Sequence, residues 1–325
     1  MKIDIHNLHN TADDITECNG CGVCMLSCPV WRQSHTMALT ICGRARLTMG
    51  GAAEEDLVES ASACILCGSC AALCPRGMDT QRATFALRQR LATLGLLPSF
   101  GRSGQPSPSV GVALGRLFLP GAALRGQQQL LERCQHILGS KVSCLSDDGS
   151  DICYDLECGA AIDDKRFAEF LAPLRGAQEI IASDGVMVNL LSLLLGPKTR
   201  VRGLGQALLE NRQVRRGVKN TDLFMIETRT FNARREQLVM LYEALRRETG
   251  CFMNLDLHRV ATPTGGMSVQ YRMNLPAPVS VEAQVHWLLE GRNAKRIVVE
   301  HLDDGAAFLK HTQLPVVHLA EVAEP

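Results

Sequence analysis

Cys18-Asn19-Gly20-Cys21-Gly22-Val23-Cys24-Met25-Leu26-Ser27-Cys28-Pro29 and Cys64-Ile65-Leu66-Cys67-Gly68-Ser69-Cys70-Ala71-Ala72-Leu73-Cys74-Pro75 share one spacing, C-x2-C-x2-C-x3-C-P. A cubane iron–sulfur cluster requires four soft thiolates converging on four irons. Two-residue gaps let three thiolates of one tight loop cap three corners. Gly20, Gly22 and Gly68 permit the positive-φ turns that such a loop needs. Zinc also takes four thiolates from C-x2-C pairs. It explains neither the third cysteine of each triplet nor the repeated Cys-Pro ending.

The fourth cysteine of each run lies too far along to close on its own loop. In two-cluster ferredoxins that cysteine ligates the other cluster, and the following proline turns the chain away. The spacing therefore assigns Cys18, Cys21, Cys24 and Cys74 to one [4Fe–4S] cluster, and Cys64, Cys67, Cys70 and Cys28 to a second. Crossed ligation places the two side by side, as a wire for single electrons. Neither quadruplet leaves an open coordination position, so no catalytic residue is expected at the irons.

Nine of the 14 cysteines lie before residue 75, which marks a metal-rich domain over residues 1–97. The 325-residue length suggests two domains, and 46% hydrophobic residues suffice for an ordinary core. The 34 basic and 34 acidic side chains cancel, which argues against nucleic acid as a partner. The N-terminus lacks the apolar core of a secretory signal, and no apolar run is long enough to span a bilayer. A soluble, cytoplasmic protein is expected, with membrane contact only through a partner.

Residues 98–109, rich in Gly, Pro and Ser, read as a linker, and 110–138 as mostly helical around Pro120-Gly121. From about 141 to 325 short apolar runs at 179–182, 223–226, 296–299 and 315–319 look like buried parallel strands. Helical patterns separate them. In the best, 233–249, Leu238, Leu241, Tyr242 and Leu245 share a face and Gly250 supplies the stop. Ile180-Ile181-Ala182-Ser183 and 201–204 are echoed by Ile297-Val298-Val299-Glu300 and 316–319. The expected fold is thus an α-helical two-cluster ferredoxin domain (1–97), a linker with helices (98–140), and an α/β domain of two repeated Rossmann-like halves (141–325).

With the intermotif stretch Gly43-Arg44-Ala45-Arg46-Leu47 and the ending Cys74-Pro75-Arg76-Gly77-Met78-Asp79, the N-terminal region resembles a known group. It is similar to the two-cluster domain of succinate dehydrogenase and fumarate reductase iron–sulfur subunits. It is closer to the iron–sulfur subunits of heterodisulfide reductase, anaerobic glycerol-3-phosphate dehydrogenase and glycolate oxidase. That resemblance implies a second domain with two halves, each bearing a Cys-Cys-Gly signature that serves a further cluster and a disulfide substrate. Here the corresponding positions are Glu157-Cys158-Gly159 and Pro263-Thr264-Gly265-Gly266. The turns after the strands read Ser183-Asp184-Gly185, Glu227-Thr228-Arg229-Thr230 and Glu300-His301-Leu302. The domain resembles a degenerate Cys-Cys-Gly domain, and the resemblance implies loss of heterodisulfide reduction. It also implies a flavoprotein dehydrogenase or related redox subunit as one partner. A ferredoxin or membrane quinone-reactive subunit is the implied acceptor.

Other features carry less. Cys42, Cys134, Cys144, Cys153, Cys158 and Cys251 read as buried free thiols. Cys144, Cys153 and Cys158 offer a residual metal or redox site as the alternative. His258, His301 and His318 near strand ends lack a partner at catalytic spacing, while His6, His9 and His35 flank the cluster region. Gly203-Leu204-Gly205 does not complete a dinucleotide fingerprint. Arg212, Arg215, Arg216 and Lys219, with Arg200 and Arg202, form either a solvated face or a docking patch. Trp31 is expected to shield a cluster.

Overall fold

Local capping sets the helices of the N-terminal region. The computed structural model describes residues 15–97, 115–256, 259–273 and 279–323. The expected linker and His6, His9 and His258 lie outside the described residues. Pro29 opens α1 (Pro29–Ser34), where its missing N–H has no intrahelical role. Thr40 caps α2 (Ile41–Met49), its hydroxyl accepting from Gly43 N at 3.2 Å. Glu54, Glu55 and Asp56 fill the first turn of α3 (Glu54–Ala63), favourable against the helix dipole. After the short α4 (Ser69–Leu73), Asp79 caps α5 (Thr80–Thr93) by accepting from Arg82 N at 3.0 Å. Leu57 and Ala61 of α3 pack on Leu87 and Leu91 of α5. Each leucine so buried contributes about 2 kcal/mol.

The second region opens earlier than the sequence pattern indicates. Gly115–Leu119 is a strand, β1, and not part of a helical stretch. It pairs in parallel with β2 (Val142–Cys144) on one side and β3 (Ala177–Ala182) on the other, so it lies inside the sheet. A three-residue apolar run, Leu117-Phe118-Leu119, cannot be told from a helix by periodicity. Only pairing decides it. The helical reading holds further on, at Gly121–Arg125 and Gln128–Leu138.

β4 (Arg200–Gly203) completes a parallel sheet of order β2-β1-β3-β4. A second parallel sheet contains β5 (Asp222–Met225) and β6 (Phe252–Met253). A small antiparallel hairpin, β7 (Leu255–Asp256) with β8 (Val260–Ala261), follows. β9 (Arg296–Val299) and β10 (Val316–His318) complete the second sheet in the order β6-β5-β9-β10. Counted from its own first strand, each sheet runs 2-1-3-4.

Side chains alternate across these strands. Phe118 and Ile181 of the first sheet and Phe224 and Val298 of the second meet in one central core with Phe231, Tyr242 and Leu245. Leu117, Leu119 and Ile180 face outward into a second core, and Leu223, Met225, Ile297 and Val299 into a third. The helix Arg235–Thr249 buries Leu238, Tyr242 and Leu245, and Gly250 ends it at φ 74°. No helix among the described residues is long and apolar enough to cross a membrane.

Candidate metal centres

The two cysteine runs fold into nearly the same loop. Gly22 and Gly68 both take φ 75°, ψ −2°. Cys28 has φ −80°, ψ 117° and Cys74 φ −70°, ψ 116°. Gly20 sits at φ 73°, and its counterpart Leu66 holds φ 57° despite its side chain. Such a conformation in a non-glycine residue costs about 1–2 kcal/mol. At Gly20 a Cβ would lie 2.0 Å from the Arg46 guanidinium, so a larger residue there would have to displace that side chain.

Two adjoining cavities follow from this repeat. Cys18, Cys21, Cys24 and Cys74 line the first, with Ile41, Cys42 and Met78. Cys28, Cys64, Cys67 and Cys70 line the second, with Val30, Leu39, Ile65 and Arg44. Cys24 and Cys70 touch both, forming the shared wall. The fourth cysteine of each run thus lines the cavity of the other run. Cys21 is exposed at the first cavity, whereas Cys67 is buried at the second. Thiolates around a single zinc ion would lie within about 4 Å of one another. Among the described residues no three Cys, His, Asp or Glu side chains converge to hold a single metal ion. Four thiols spread around a cavity suit a larger inorganic core.

The electrostatics of the second cavity also fit an anionic group. Arg44 is 1% exposed and donates to Ser60 O at 2.5 Å and Thr84 Oγ1 at 3.3 Å. Its Nε is buried with no hydrogen-bond partner among the described residues. Arg88 is 3% exposed and donates only to carbonyls, those of Ala61, Glu157 and Cys64. Two buried guanidinium groups without carboxylates are costly unless an anion lies beside them. Burial alone would raise the Cys64 thiol, but Arg44 and Arg88 outweigh it and hold Cys64 below the ordinary thiol value. Hydroxyls also reach the sulfurs, with Thr80 Oγ1 2.8 Å from Cys70 Sγ and Ser69 Oγ 3.3 Å from Cys67 Sγ.

The α/β region grips the second loop. Asn232 donates to Cys67 O, and Ser69 Oγ donates to Ala261 O at 3.2 Å. Gln81 donates to Leu66 O at 2.7 Å and accepts from Asn189 at 3.1 Å. Gly159 lets the end of helix Ser150–Cys158 approach α5, since a Cβ there would lie 2.4 Å from the Arg88 carbonyl carbon. Spacing gives no signal for Asn232, Gln81, Arg88 or Cys42.

With this geometry in place, residues 14–78 match the model of the 4Fe-4S dicluster domain. This is an iron–sulfur protein. No curated protein and no solved structure matches the chain. The dicluster match supports an electron-transfer role for the domain.

The remaining candidate residues are placed as follows. The positions compared with Cys-Cys-Gly signatures converge on a buried polar network. Arg229, 2% exposed, pairs with Glu157, lies 3.8 Å from Asp184 and donates to Met267 O at 2.8 Å. Asp184 and Glu227 cap the helices Gly185–Leu195 and Thr228–Ala233. Glu300 accepts from Glu227 N at 2.8 Å and from the Tyr242 hydroxyl at 2.9 Å. Thr264 Oγ1 donates to Asp304 at 2.5 Å. The ends of the parallel strands, where α/β folds bind ligands, are here occupied by the chain's own caps and ion pairs. Burial pushes the Cys158 thiol up to about 11 and raises Cys153 well above the ordinary value, so neither is an activated thiol.

Two surface expectations change. Arg202 is 1% exposed and pairs with Glu179 at 2.8 Å and Glu210 at 2.5 Å, so it leaves the basic patch. Arg215 pairs with Glu248. Trp31 lines neither cavity. Its ring meets His35 edge-on at 6.1 Å, and the neighbouring Val30 takes the shielding position.

Proposed function

We propose that the chain is an electron-relay subunit holding two [4Fe–4S] clusters, one on Cys18, Cys21, Cys24 and Cys74, the other on Cys64, Cys67, Cys70 and Cys28. The observation that carries this is the crossed lining of two cavities with a common wall. When bound, such clusters supply reversible one-electron transfer with no bond made or broken. The chain's own part is to set distance, charge and water exclusion. Val30, Leu39 and Ile65 dry the second cavity, Arg44 and Arg88 offset negative charge there, and the shared wall keeps the two centres adjacent.

Cys21 gives the first centre an exposed edge, which suits exchange with a docked partner. By resemblance that partner is a flavoprotein dehydrogenase or related subunit, with a ferredoxin or membrane quinone-reactive subunit on the other side. The α/β region is read as two repeated Rossmann-like halves of a degenerate Cys-Cys-Gly domain, supported by the common 2-1-3-4 strand order. Its polar network replaces a cluster site, which suits a docking platform rather than a reductase.

Cys74→Ser tests the crossed assignment, with Cys21→Ser and Cys67→Ser as references. The expected EPR change matches that of Cys21→Ser. A match to Cys67→Ser would reverse the assignment.

A further inference from the structure

A cleft of about 1060 Å³ runs between the cysteine-rich region and the α/β region. Gly68 of the second cysteine loop lines it, and so does Cys74, which closes the first cavity. The cleft therefore touches both centres. Met78 and Phe85 continue this side, and Leu190 and Leu193 of the helix Gly185–Leu195 add apolar surface from the α/β region. Leu193 is 56% exposed, a large apolar side chain left open to water.

The charge of the cleft is one-sided. Arg82, Arg200, Arg234 and Arg235 line it against two carboxylates, Asp79 and Glu236. The whole chain has no net charge, so this excess is local. Arg234 donates to Val201 O and Gln237 Oε1, both neutral acceptors. Arg200 shares Glu179 and Glu210 with Arg202, and Glu179 also pairs with Arg116. Three guanidinium groups thus divide two carboxylates. Burial lowers the Arg234 value, and the neighbouring charge of Arg200 lowers it further.

We infer that this cleft docks an acidic redox protein, whose carboxylates meet Arg200 and Arg234 and whose apolar contact covers Leu193. The inference rests on the electron-relay reading above and gives one of its partners a surface. Protein interfaces combine an apolar centre with a polar rim, as here. A cationic cleft raises the encounter rate with an acidic partner and disfavours a basic one. A small anion would satisfy the arginines and leave Leu193 uncovered.

The probe is a small acidic [2Fe–2S] ferredoxin, with a basic cytochrome c as its counterpart. Association rate and affinity are read at low and high salt. The full chain is prepared anaerobically as wild type, Leu193→Glu, Arg200→Glu with Arg234→Glu, and Arg212→Glu with Arg216→Glu. The last pair makes the same change in net charge on a basic surface that includes no cysteine-loop residue. Wild type should bind the ferredoxin, more slowly at high salt, and not the cytochrome. Reversing Arg200 and Arg234 should slow association about tenfold or more, while reversing Arg212 and Arg216 leaves it near wild type. Leu193→Glu should weaken affinity, and because Leu193 is exposed it keeps the test valid should the arginine pair fail to fold. Equal slowing by both reversed pairs would reduce the effect to overall charge and overturn the inference. Wild-type affinity in Leu193→Glu, or no ferredoxin binding by wild type, would overturn it as well. Iron is counted on the same samples. A wild type short of about eight irons refutes the two-cluster reading, whereas the binding series decides the cleft by itself.

Discussion

The side-chain amide of Asn232, in the α/β region, donates to the main-chain carbonyl of Cys67 at 2.9 Å. The same amide reaches Ala261 O at 2.9 Å and Ser69 Oγ at 3.2 Å, and its oxygen accepts from Ala261 N at 2.9 Å. One buried side chain thus ties the second cysteine loop to β8. Within the first loop the bonds are local, as from Gly20 N to Cys18 Sγ and from Cys21 N to Asn19 Oδ1, and the α/β region is reached from α1 instead, where Arg32 donates to Asp256 at 3.1 Å.

Asn232→Ala leaves the Cys67 carbonyl and the Ala261 N–H unpaired, at about 1–3 kcal/mol each. The second cluster should then be lost several-fold faster than in wild type under an iron chelator, with the first little changed. EPR during the chelator time course separates the two signals. Equal acceleration of both losses would refute a clamp specific to the second loop.

Arg44 supplies charge beside the second cavity, and among the described residues its Nε–H has no acceptor. Arg44→Met should move the second centre's midpoint to more negative values, and Arg44→Lys should restore part of the shift. A wild-type midpoint in an Arg44→Met protein that keeps its iron would contradict the electrostatic role.

How much was legible in the sequence follows from the range of each interaction. The quadruplets are local, so Cys18 to Cys28 and Cys64 to Cys74 announce their chemistry by spacing. The short apolar runs within 179–182 and 296–299, set between helical patterns, are likewise visible. β1 is missed because Leu117-Phe118-Leu119 runs on into the helical segment Gly121–Arg125, and its pairing with Ile180, Ile181 and Ala182 of β3 is not a local signal. Asn232 and Arg88 are ordinary polar residues in sequence and acquire meaning only where the domains meet. Cys42 was one of six spare thiols until α2 set it beside Cys18.

Stability should fall between pH 6.5 and 8 through Glu300. Burial pushes its carboxyl up to about 8, although Glu227 N–H and the Tyr242 hydroxyl pull the other way. In this window the unfolded chain has an ionised Glu300 while the folded chain keeps the proton. Stability contributed below the unfolded value is thus lost as pH rises, at up to about 1.4 kcal/mol per unit. His318 acts in a separate range. Burial holds it to about 4, so it costs stability only as pH falls below 6.5. Asp304, raised to about 6, contributes below that same limit. Melting temperatures of wild type and Glu300→Gln at pH 6.5 and 8 check this. The wild type should drop more, and parallel behaviour would show that Glu300 is not the titrating group.

Cys158 tests the alternative of a residual redox site. Its thiol is buried, and burial pushes it up to about 11. Cys158→Ala should therefore keep wild-type iron content and both EPR signals. Loss of a third signal would give the α/β region chemistry of its own.

The central claim is two [4Fe–4S] clusters in one chain. Iron and acid-labile sulfide per chain, on anaerobically purified protein with EPR of the reduced sample, test it most directly. The account predicts about eight of each, with the signature of two magnetically coupled clusters. About four of each with one isolated signal, or zinc in place of iron, would contradict it.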